Sequence, residues 1–260
     1  MNWSAVDATI LLPAFLAGLL VLATHVPLGI RVLSRGIVFI DLAIAQIAGL
    51  GVIVAGLMDI DPGGWQVQAA AALAALAGSL LLTWTERKWP DVQEAQIGVV
   101  FVLAATGGIL LLAKNPHGGE YLRDLLAGQI LWVGYRQLAL PLAVTIVTLA
   151  VLWGMRGRLP QLLFYLVFAI AVTASVQLIG VYLVFATLIV PALGSRRHSP
   201  RVRLMLAYAI GIAGYGAGLV LSSALDLPSG ALIVWCLAAL AIAAYALSGG
   251  RVTPAAAAPS

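Results

Sequence analysis

The chain has 260 residues, 62% of them hydrophobic and only 9% charged, with a mean hydropathy of +1.06 and a net charge of +4. A soluble domain carries about 25% charged residues, so this composition excludes a water-facing globule and makes the bilayer the solvent. The apolar runs are continuous and about 20 residues long, which excludes the alternating pattern of a spanning barrel and leaves helices. The small positive charge sits in loops, so it carries topology and is no nucleic-acid footprint. The single Cys236 allows no internal disulfide and no cysteine-based metal cage.

The opening MNWSAVD has no Lys or Arg before a long apolar run, which reads as a first span and not as a cleavable signal. That span covers about 8–30, with Pro13, Thr24, His25 and Pro27 inside it and Arg31 and Arg35 after it. The second covers about 36–58 and ends at Asp59, Asp61, Pro62, Gly63 and Gly64. The third, about 65–84, is rich in alanine, a composition suited to close helix packing. A charged loop from Glu86 to Glu94 leads to the fourth span, about 97–113. After a Pro- and Gly-rich turn, 120–131 is predicted to be a short amphipathic helix. The fifth and sixth spans cover about 133–153 and 161–178, joined by the basic loop Arg156–Pro160.

The stretch VQLIGVYLVFATLIVPALG at 176–194 organises the chain. It opens on Gln177 and Gly180, closes on Pro191 and Gly194, and is followed by the most basic loop, 195–203. It predicts a seventh span of about 15 residues, short for a full crossing. Spans at about 204–225 and 230–248 complete an all-α, polytopic transmembrane bundle of eight or nine spans, over one domain at 1–250. The remaining 251–260 is expected to be a disordered tail. Ten of the fourteen Lys and Arg lie at 31–35, 86–88, 156–158 and 196–203. Placing those loops in the cytoplasm puts the N-terminus outside and the C-terminus inside.

Polar groups inside spans are costly when unpaired, so each is a functional candidate. Asp41 is either a residue of a translocation path or the partner of Arg31 or Arg35. Gln46, about 140° away on an ideal helix, does not share its face. His25 reads as a metal ligand or as a residue at a kink, and Gln177 beside Gly180 as pore-lining. Asp59, Asp61 and His117 fall on the outer side, where they either receive a cation or serve as ordinary turn residues. The chain has no phosphate-binding G-x-x-x-x-G-K loop, no H-E-x-x-H, no Cys/His zinc spacing and no G-x-S-x-G. It therefore lacks the signatures of ATP binding by that route and of those enzyme classes.

Three stretches, RGIVFIDLAIAQIAGLGV (35–52), LLAGQILWV (125–133) and LIGVYLVFATLIVPA (178–192), resemble the permease subunits of zinc/manganese-type metal-ion ABC transporters. Pro13, Gly18, Pro27, Leu28 and Gly29 are similar to the family's opening. The resemblance implies a homodimer in the inner (plasma) membrane, importing a divalent cation. A separate ABC ATPase subunit uses ATP, an extracytoplasmic metal-binding protein delivers the ion, and the permease binds no cofactor and catalyses no covalent chemistry. It also implies a metal-contacting Asp and His on the second span. Aligned without gaps, that His falls on Gln46 and that Asp on Leu42, with Asp41 one residue early as the candidate metal contact. Gln129 stands where the second stretch of the family has an acid or amide. The family's longer cytoplasmic segment before the sixth span is reduced here to Arg156–Pro160. ATPase coupling is then expected from Arg196, Arg197, Arg201 and Arg203, or from the 86–96 loop, and Asp41, Gln46, Gln177 and His25 are the candidates to line or gate the path. The alternative is a secondary transporter or channel working without an ATPase, which the shortened loop motivates. A membrane enzyme has little support, since Asp41 is the one acid well inside a span.

Overall fold

Continuous apolar sequence in a medium without water forces every backbone N–H and C=O to pair within its own segment, and helix is the way to do so. The computed structural model describes residues 8–248 apart from 59, 61–63, 114, 116–117 and 156–159. Among them all regular structure is helical: α1 (Ala8–Arg35), α2 (Ile40–Leu57), α3 (Trp65–Lys88), α4 (Gln93–Leu112), α5 (Gly118–Ala127), α6 (Ala139–Gly154), α7 (Gln161–Ile179), α8 (Val181–Gly194), α9 (Pro200–Leu225) and α10 (Ser229–Leu247). Among the described residues, eight helical segments are long and apolar enough to cross a membrane, and α8 is a shorter apolar helix beside them. The sequence expectation of a multi-pass helical bundle therefore holds. Asp59, Asp61 and His117, expected on the outer side, most of the 156–160 loop and the 251–260 tail lie outside the described residues.

Several boundaries differ from the sequence reading, for local reasons. The first span does not stop near 30: α1 continues through Arg31 to Arg35, with Arg35 laid over the Phe164 ring at 4.1 Å. The charged loop before the fourth span shrinks to Trp89–Val92, because Glu86 and Gln93 are helical and both bind Tyr165. α9 begins at Pro200, not 204; proline suits the first helical turn, where its missing N–H has no helical partner to lose. The amphipathic helix ends at Ala127 and not at 131, since Gly128 takes a left-handed φ of 67° and closes it.

α2 packs on α3 and α4, α3 on α7, and α1 on α8 and α9, while α10 covers α8 and α9. α7 and α8 are the most enclosed helices. α4 and α6 present wide apolar faces outward, including Leu103, Leu110, Val147 and Trp153, as expected for lipid contact. Prolines inside α1 are tolerated because other groups take over the freed backbone. Pro27 has no N–H for the carbonyl of Ala23, and the Tyr208 hydroxyl on α9 donates to that oxygen at 3.0 Å.

Candidate functional site

Two ends of the bundle differ in chemistry. The basic end collects the C-termini of α1, α3, α8 and α10 and the N-termini of α2, α4, α7 and α9, with Arg35, Arg87, Lys88, Arg196 and Arg197. The opposite end collects the start of α3, the end of α7, α5 and the 3-10 turns Ile130–Trp132 and Tyr135–Leu138.

At that opposite end the polar residues converge. Gln177 lies on the last turns of α7, Gln68 on the first turn of α3, and Gln129 just past α5. They line two lobes of about 330 Å³ each, and all three residues belong to both. Arg136 and Gln137 complete the first lobe, and Asp124 and Val52 the second. Both amide atoms of Gln177 are buried without a hydrogen-bond partner. Gly180, with φ 82°, breaks the chain between α7 and α8 and holds this turn of α7 against Gly128. The sequence pointed to Gln177. It missed Gln68, Arg136 and Asp124, although a glutamine in the first turn of an alanine-rich span was signal enough for the first.

Asp41 is elsewhere. It sits in the first turn of α2 at the basic end, 1% exposed, with neither carboxylate oxygen bonded. Arg31 does not pair with it, since its Nη1 is itself buried without a partner, and Arg35 lies over Phe164. The ion-pair alternative for Asp41 is therefore not realised. Eleven residues of α2 separate Asp41 from Val52, about 16 Å of helix rise, so the acid and the carboxamide cavity are stacked along one helix and do not touch. Gln46 is buried between them at 9% exposure. It lines neither lobe.

His25 is fully buried in α1. Its Nδ1 lies 3.0 Å from both the Val21 carbonyl and the Thr24 hydroxyl, and its Nε2 is buried without a partner. Among the described residues no three His, Cys, Asp or Glu gather closely enough to hold a metal ion. A closed protein cage of zinc type, with its four nitrogen or sulfur ligands, is thus not formed by these residues.

At the basic end, Arg196 donates from Nη2 to the Tyr245 hydroxyl at 3.1 Å, and the Arg197 guanidinium lies 3.7 Å from the same ring's centre. Arg201 is exposed on the first turn of α9, and the Nε of Arg203 is buried without a partner. A second group joins three helices there. The Tyr165 hydroxyl on α7 donates to Glu86 on α3 and accepts from Gln93 on α4.

The ABC 3 transport family matches residues 7–159 and 150–248. The chain is 21% identical over 252 residues to the high-affinity zinc uptake system membrane protein ZnuB of Haemophilus influenzae, covering 89% of this chain and 95% of that protein. It is 24% identical over 228 residues to the manganese transport system membrane protein MntC of Halalkalibacterium halodurans, covering 80% and 76%. Its fold is similar to that of PsaBC from Streptococcus pneumoniae in complex with Fab, at a TM-score of 0.72 and 20% identity over 94% of this chain and 95% of that one.

Proposed function

Because the chain belongs to the ABC 3 transport family, we propose that it is the membrane-spanning permease subunit of an ABC importer for divalent metal ions, zinc or manganese. It works as a homodimer in the plasma membrane, with its basic end and C-terminus in the cytoplasm and its N-terminus outside. A separate ATPase subunit binds and hydrolyses ATP, and an extracytoplasmic binding protein presents the ion at the carboxamide end. The chain itself performs no covalent chemistry. The observation that carries this reading is the polar cavity at Gln68, Gln129 and Gln177, cut into an otherwise apolar bundle at the end opposite the basic loops. From there the path runs along α2 past Gln46 to Asp41. His25, buried in α1 with Nε2 free, gates it. Alternating access follows from rocking of the two copies, with Arg196, Arg197, Arg201 and Arg203 receiving the stroke.

The test is purification from membranes followed by reconstitution. An ATPase that co-purifies, and whose hydrolysis rises with zinc or manganese in proteoliposomes, is the expected result. One specific observation favours a second reading: only six residues join α6 to α7, where the family has a longer cytoplasmic segment. Ion flux without any co-purifying ATPase would move the assignment to a secondary transporter or channel.

A further inference from the structure

The carboxamide cavity has a chemistry of its own, distinct from that of a coordinating metal centre. Gln177 leaves both amide atoms buried and unpartnered, an arrangement that is unfavourable until something bonds them. A glutamine offers both an acceptor oxygen and two donor hydrogens. Three neutral amides cannot replace the six waters around a divalent ion, and imidazole or thiolate, the groups zinc prefers, are absent from the lining. They can, however, accept hydrogen bonds from the outward-pointing protons of a hydration shell. Space permits it: six waters at about 30 Å³ each and their ion fit within a lobe of about 330 Å³. Charge selects the lobe. Arg136 lines only the first and repels a cation there, whereas Asp124 lines only the second.

We propose that the second lobe is an outer-sphere site, which takes a divalent cation still wearing its water shell and holds it through Gln68, Gln129 and Gln177, with Asp124 supplying the charge. This rests on the permease reading. Dehydration is deferred to deeper in the path, so the first selection among ions is by hydrated size and charge and not by ligand softness.

Hexaamminecobalt(III), whose ammine ligands do not exchange, is the probe, since it can bind only through its shell. It is titrated into the purified full-length protein by calorimetry, and also added to proteoliposomes importing manganese with the co-purified ATPase. Saturable binding, competition with manganese uptake, and at least tenfold weaker binding in Gln177→Leu are expected. Gln129→Leu, at an exposed position, serves as a second variant should the first fail to fold. Manganese binding without any hexaamminecobalt binding would overturn the proposal. So would loss of binding in Asp124→Asn with none in either glutamine variant, which would mean bare charge attraction. The permease reading fails separately: hexaamminecobalt binding in a protein that moves no divalent cation would keep the site and remove the transport.

Discussion

Gly128 and Gly180 meet backbone to backbone, both in left-handed conformations, at φ 67° and 82°. A Cβ on Gly180 would stand 2.6 Å from the Cα of Gly128, and one on Gly128 would stand 2.6 Å from the nitrogen of Gly180. This contact fastens the end of α5 over the break between α7 and α8. α8 has 14 residues and rises about 21 Å, short of a hydrocarbon core of about 30 Å. Gly180 has φ 82° and ψ 162°, a region essentially reserved for glycine, so Gly180→Ala is expected to lose about 1–3 kcal/mol from backbone strain alone, with more from the clash, and to abolish uptake. Gly98→Ala, where nothing lies within 4 Å, should behave as the parent. Thermal unfolding of the two variants in detergent checks this, and equal melting temperatures would count against the contact.

Asp41 is buried with both oxygens unbonded, a poor arrangement for a residue kept for stability. Asp41→Asn should leave the melting temperature unchanged or raise it, while reducing uptake of manganese or zinc by tenfold or more. A variant that unfolds, or one that transports normally, would remove Asp41 from the path.

Tyr165 ties α7 to α3 and α4 through Glu86 and Gln93. Tyr165→Phe keeps the ring and removes the link, which should cost about 1–3 kcal/mol by stranding the buried Gln93 and the half-buried Glu86. Because α7 carries Gln177 at its far end, ATP hydrolysis in the reconstituted complex should also respond less to metal. A stable Tyr165→Phe with full metal response would show that the link is dispensable.

The Tyr208 hydroxyl bonds the carbonyl that Pro27 leaves free. Tyr208→Phe is expected to cost about 0.6–1.7 kcal/mol, the range for hydrogen bonds between membrane helices, and Pro27→Ala in the same background should recover part of it. The double-mutant cycle reads the coupling directly.

Arg196 and Arg197 share the Tyr245 ring at the basic end. Replacing both arginines by alanine should reduce ATP-driven uptake at least tenfold with manganese binding unchanged, measured on the same preparation. Normal uptake would shift ATPase coupling to the Trp89–Val92 turn.

How much of this was readable beforehand follows from where each signal resides. Burying an apolar run in lipid is favourable residue by residue, and Lys and Arg stay where the membrane ends. The apolar runs, the basic end and the break at Gly180 are therefore local properties and legible in the chain, which left the span count at eight or nine. Helix ends were less legible: Glu86 and Gln93 look like loop residues until Tyr165, far along the chain, accepts them into helices. The failure of the Asp41 ion pair was likewise invisible, since Arg35 finds Phe164 instead. The grouping of Gln68, Gln129 and Gln177 was decided by tertiary structure alone. They lie on three separate segments, each polar residue tolerable by itself, and only helix packing around the Gly128–Gly180 contact brings them into one cavity. Local transfer energies add along a chain and can be read from it, whereas a cavity exists only where distant segments fail to fill the space between them.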